Sequence, residues 1–77
     1  MNQLTELLKI EKIFVKVLAV ESPRAINKTD CEEWDSLKHI ELILELEDEF
    51  DLEISDDAAL KITDFNSCLE IINGIKE

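Results

Sequence analysis

Glycine and proline are almost missing from this chain, with one of each in 77 residues, and tyrosine is absent. Turn-rich β folds depend on such residues, so their scarcity tells against a sandwich or a barrel. Basic side chains are few as well: eight Lys and Arg stand against 19 Asp and Glu, a formal net charge of −11. Phosphate backbones are bound through a surplus of Lys and Arg, which tells against nucleic acid as a direct ligand. An anionic membrane surface is disfavoured for the same reason, and no apolar run is long enough for membrane insertion. Cys31 and Cys68 lack C-x-x-C spacing and there is a single histidine, so neither a zinc site nor a redox pair is indicated. Each cysteine is expected as a small buried or half-buried residue. The opening residues MNQLTELLKIEK do not form a secretory leader, and a reducing cytoplasm is the expected compartment.

What is present points to a folded helical domain. Hydrophobic residues make up 45% of the chain, too many for a segment held open by its charge. Residues 1–77 are expected to form one domain, a monomer with a small core. A chain this short buries only about 60% of its unfolded surface. It has no room for a large dry active-site cavity, so any chemistry is expected on its surface or inside a partner.

The acids are concentrated. Residues 1–29 carry a net +2, residues 30–57 a net −12 and residues 58–77 a net −1. A middle segment so strongly negative predicts a basic protein partner and salt-sensitive association.

Apolar spacing predicts two long helices and two shorter ones. The first spans Gln3 to Ala19, with Leu4, Leu7, Leu8, Ile10, Phe14, Val17 and Leu18 as its apolar stripe and Lys9, Lys12 and Lys16 on the opposite side. Val20 to Asp35 reads as a long loop whose strong core candidate is Ile26; loops of this length are often functional. The second helix starts at Ser36, capped by Asp35, and ends near Phe50. Leu42, Ile43, Leu46 and Phe50, with His39, fit one face, while Leu37, Ile40 and Leu44 form a second stripe beside it. Periodicity alone favours a wide core face for both, although an apolar stripe rimmed by acids also suits docking. A third helix, Asp56 to Leu60, is capped by Ser55. The fourth runs from about Asn66 to Ile75, with Phe65, Cys68, Leu69 and Ile72 as core and Gly74 as terminator.

Catalysis inside the chain is poorly supported: there is no Gly-rich phosphate loop, and a lone His39 on a helix's inner side reads as a satisfied core residue. Calcium loops starting at Asp48 or Asp51 fail, because Glu53 or Asp56 occupies the sixth position, where the turn needs Gly. Ser36 differs through position. A serine at the start of a long helix, beside free backbone N–H groups and the positive end of the dipole, suits an attached phosphate, although position alone favours an ordinary helix-start serine by a wide margin.

Asp35-Ser36-Leu37, then Ile40-Glu41-Leu42-Ile43, the run Glu47-Asp48-Glu49-Phe50, Ile54-Ser55-Asp56 and Lys61-Ile62-Thr63 together resemble the acyl carrier proteins over nearly the whole chain. The resemblance implies an all-α four-helix bundle, with a long loop between helices 1 and 2 and a short third helix. It implies a carrier rather than an enzyme, with Ser36 bearing 4′-phosphopantetheine moved from coenzyme A by a phosphopantetheinyl transferase. Asp35 and Leu37 would flank and place the attachment. Ile40 and Leu44, with Leu37, would form the apolar centre of docking, and Glu41, Glu47 and Asp48 would meet basic patches on partners. Those partners would be an acyl-loading ligase or transferase, and a ketosynthase or other acyl-transferring enzyme. Glu33-Trp34 before the motif and Lys38 after it differ from the small pair and the acid usual in fatty acid synthesis. They favour a specialised lipid, polyketide or surface-polymer pathway over the housekeeping one. Trp34 would offer an apolar contact to the arm or a partner, or pack the loop. The alternative reading is an unmodified acidic adaptor that binds a basic protein.

Overall fold

The computed structural model describes residues 3–76, and among them every regular element is helical. The four helices are α1 (Gln3–Leu18), α2 (Ser36–Phe50), α3 (Asp56–Lys61) and α4 (Phe65–Lys76), with a single 3-10 turn at Pro23–Ala25. This is the expected all-α bundle. Helix α1 packs against α2 and α4, and α3 packs against α4. Lys9 pairs with Glu49 and Lys16 with Glu45, so residue numbers rise along α1 as they fall along α2, and the two helices are antiparallel.

The core follows from which sectors of each helix find a neighbour. Ile10, Ile13, Phe14, Val17 and Leu18 of α1 close on Leu42, Ile43 and Leu46 of α2 and on Phe65, Cys68 and Ile72 of α4. Leu4 and Leu8, expected in the α1 stripe, are exposed instead, and Ile13 takes their place inside. The apolar arc of α1 is wider than the sector that α2 and α4 cover, so its edge stays in solvent. Lys9 and Lys16 do not point away from the bundle, as the spacing implied. They lie along the α2 flank, near enough to reach its acids.

The long loop is built around a residue that pattern reasoning did not place in the core. Trp34 is 2% exposed, whereas Ile26 is only half-buried. The indole meets the edge of Phe14 at 5.4 Å between ring centres, and Phe14 meets Phe65 at 5.7 Å, both in the edge-to-face geometry that aromatic quadrupoles favour. Upstream, Lys28 N–H donates to the Thr63 carbonyl at 2.7 Å and the Asn27 carboxamide accepts from Thr29 N–H, which ties the loop to the start of α4.

The helix ends have local causes. Ser55 caps α3 by accepting Ala58 N–H. At the start of α4, the Asp64 carboxylate accepts Ser67 N–H at 2.7 Å, while Ser67 Oγ accepts Asp64 N–H. This reciprocal cap lets the Ser67 backbone and hydroxyl hold the Asp64 carboxyl below its ordinary value. Helix α2 ends on Asp51 in a left-handed conformation, its N–H returned to the Glu47 carbonyl. Gly74 does not terminate α4, which continues through it to Lys76.

Candidate functional site

Ser36 is the first residue of α2, and its placement is set by its neighbours on both sides. Before it, Trp34 is anchored in the core. At Asp35 the backbone is extended, the carboxylate accepts Lys38 N–H at 2.9 Å, and the carbonyl accepts His39 N–H. One orphan donor of the first turn, Lys38 N–H, is thereby used, and His39 N–H makes the first bond of the helix. The N–H groups of Ser36 and Leu37 come before the first bond of the helix and have no acceptor inside it. Ser36 itself is exposed. A hydroxyl in this position is open to a covalent partner, and the helix end can offset a negative charge attached to it.

One turn into the helix, a second network locks this corner. Trp34 Nε1–H donates to His39 Nδ1 at 3.0 Å, and the two rings lie stacked. An indole N–H can only donate, so Nδ1 accepts and the imidazole proton sits on Nε2. That nitrogen donates to the Ala59 carbonyl at 2.9 Å. The loop, α2 and the end of α3 are thus joined through one neutral histidine, whose ring nitrogens are both satisfied. His39 is a structural residue, as its position on the inner side of the helix implied, and Trp34 packs the loop rather than standing open beside Ser36.

The second apolar stripe of α2 is not core. Leu37, Ile40 and Leu44 are 65%, 57% and 58% exposed, while Leu42 and Leu46 are fully buried. The bundle covers one sector of α2, and the wide core face that periodicity favours splits into an inside and an outside. Asp48 continues the outer line and is exposed. Glu41 pairs with Lys38 at 3.6 Å. Glu47 turns one carboxylate oxygen to Ile54 N–H at 2.8 Å, tying the loop after α2 back to the helix. One exposed apolar residue was missed: Leu60, at the end of α3, is 76% exposed. Its flanking alanines and lysine gave no stripe for the sequence to reveal.

Ser36, the outer stripe and its acids therefore share one side of α2, with no catalytic pair among them. Cys68 lies apart from this surface, buried in the core, where burial and then the Asp64 charge push its thiol up to about 12. Over 69 residues, 86% of this chain and 87% of the other, the sequence is 38% identical to an acyl carrier protein of Buchnera aphidicola subsp. Schizaphis graminum (strain Sg). The chain belongs to the acyl carrier protein family. No family model matches it. Acyl carrier proteins are non-catalytic, and a carrier works through acyl-handling enzymes that act on what it bears. Among the described residues, no helix is long and apolar enough to cross a membrane.

Proposed function

We infer that this carrier bears acyl groups on a prosthetic arm attached to Ser36. The observation that supports it best is the exposed Ser36 hydroxyl at the first residue of α2, fixed by the Asp35 cap, with an exposed apolar stripe leading away from it. The Ser36 hydroxyl is the attachment point for 4′-phosphopantetheine taken from coenzyme A, an arm whose terminal thiol supplies the thioester chemistry when present. Asp35 holds the turn that presents Ser36. The free N–H groups of Ser36 and Leu37, together with the helix dipole, offset the charge of a phosphodiester there. Leu37, Ile40 and Leu44 form the apolar centre on which a transferase, an acyl-loading enzyme or a ketosynthase docks, with Glu41, Glu47 and Asp48 on its rim. A flexible arm on a docked carrier makes each later reaction effectively intramolecular, so the protein contributes proximity rather than a general base.

Lys38 and the Glu33-Trp34 pair favour a specialised lipid, polyketide or surface-polymer pathway, in the cytoplasm, with residues 1–77 acting as one carrier domain. The decisive test is intact-protein mass spectrometry after incubation with coenzyme A, magnesium and the phosphopantetheinyl transferase of the source organism. A gain of one phosphopantetheine that maps to Ser36 and is lost in Ser36→Ala, with helicity unchanged by circular dichroism, is the expected result. An unmodified but folded chain would leave an acidic adaptor for a basic protein as the better reading.

A further inference from the structure

Trp34 precedes Ser36 by two residues and His39 follows it by three. One side-chain hydrogen bond joins them across the serine, from Trp34 Nε1–H to His39 Nδ1 at 3.0 Å. Inside that closure sits a smaller one, the Asp35 carboxylate on Lys38 N–H at 2.9 Å. The same imidazole also holds α3, because its Nε2–H bonds the Ala59 carbonyl, which accepts Ile62 N–H as well. Helix α3 has six residues, none of them buried. A helix that short does not persist on its own hydrogen bonds and depends on such ties.

The two bonds of the ring respond oppositely to a proton. A neutral imidazole offers one acceptor and one donor, and both are matched here, because an indole N–H only donates and a carbonyl only accepts. An imidazolium carries N–H on both nitrogens. Its bond to the Ala59 carbonyl becomes charge-assisted and strengthens. Its Nδ1–H meets the Trp34 N–H donor against donor, and no rotation of the ring restores an acceptor. At 2% exposure, the indole finds no water in its place unless the loop moves. The charged side chains on the elements that meet around the ring are Glu32, Glu33 and Asp35 of the loop, Lys38 of α2, and Asp56, Asp57 and Lys61 of α3. Helices α1 and α4 reach the bridge through the uncharged rings of Phe14 and Phe65. Asp35 is committed to Lys38 N–H, Lys38 Nζ to Glu41, and Glu33 to the Cys31 thiol. None of these charged groups bonds the imidazole, whose nitrogens are both taken.

We propose that His39 is a proton-sensitive positioning residue for Ser36. Neutral, it clasps Trp34 and fixes the turn that carries the serine. On taking a proton from solvent at Nδ1 it keeps α3 and lets go of the loop. A turn freed in this way presents the Ser36 hydroxyl in the reactive geometry for a smaller fraction of the time, which slows attachment. That kinetic consequence rests on Ser36 as the attachment site, whereas the latch is a property of the fold.

The test is an NMR titration of the unmodified wild-type chain from about pH 8 to about pH 5, which spans the ordinary histidine range and stays above that of carboxylates. Ring nitrogen shifts should show the Nε2–H tautomer at the start. As His39 takes up its proton, protection of the Trp34 indole N–H, relative to free indole at the same pH, should fall about tenfold or more. The Ala59 and Ile62 amides, hydrogen-bonded in and just after α3, should keep theirs within about twofold. An Nδ1–H tautomer, a ring that stays neutral throughout, an indole that does not follow His39, or α3 amides that loosen with it would overturn the latch.

Arm attachment by the source organism's phosphopantetheinyl transferase gives the kinetic readout. His39→Gln keeps an acceptor oxygen and N–H donors but does not titrate. The ratio of wild-type to His39→Gln kcat/KM cancels the transferase's own pH profile, and it should fall about threefold or more between about pH 7.5 and about pH 5.5. A flat ratio would overturn the positioning role while leaving the carrier reading intact. A wild-type chain that is never modified would overturn the carrier reading, and the NMR titration would then decide the latch by itself.

Discussion

The two faces of α2 are made from the same residues and do opposite things. Leu42, Ile43 and Leu46 are buried in the core shared with α1, whereas Leu37, Ile40 and Leu44 stand more than half exposed one step around the helix. Hydrophobic free energy follows area removed from water, not residue type. The inner face therefore carries fold stability, while the outer face leaves its apolar area in water. A helix of 15 residues can hold both because a covered sector spans only part of its circumference.

The contrast can be sharpened by substitutions, taken from the largest expected effect downward. Leu46→Ala should cost about 2–5 kcal/mol in chemical denaturation, through lost burial and the cavity left behind. His39→Ala should cost about 1–3 kcal/mol, because it strands the buried Trp34 N–H and frees the end of α3. The fluorescence of Trp34, the only tryptophan, reports that change directly. The two cysteines repeat the inside–outside contrast on a smaller scale. Below pH 9, a thiol reagent should modify half-buried Cys31 readily and reach buried Cys68 only through unfolding, as counted by mass spectrometry. Because the folded state favours the protonated Cys68 thiol, its contribution to stability is complete below 9.0 and is lost as pH rises from there toward about 12. Smallest of all, Leu44→Ala should change stability by no more than about 0.5 kcal/mol. A loss as large as that of Leu46→Ala would break the division between the faces.

Much of this fold was legible in the sequence. The four helices, the caps at Asp35 and Ser55, and the inner residues Leu42, Ile43 and Leu46 followed from spacing and capping chemistry, which are local properties. Ser36 stood out through the same local chemistry joined to the residues around it. The errors arose where a partner element decides the outcome. Leu4 and Leu8 have the same character as Leu7 and Leu18, and only the reach of α2 and α4 separates them. Gly74 has the composition of a terminator, yet the backbone there remains helical. The role of Trp34 depends on Phe14, 20 positions earlier in the chain, and on an acceptor supplied by His39.

Taken alone, the sequence determined which segments are helical, where the negative charge is concentrated, and which serine begins a capped helix. These depend on periodicity, on side-chain caps and on counting charges within a short window. Tertiary structure decided which apolar stripe of α2 is buried, which acids are compensated by lysines from another helix, and that His39 bridges Trp34 to Ala59. Each of those outcomes depends on groups that are distant in sequence and meet only when the helices pack, and no local pattern records that meeting.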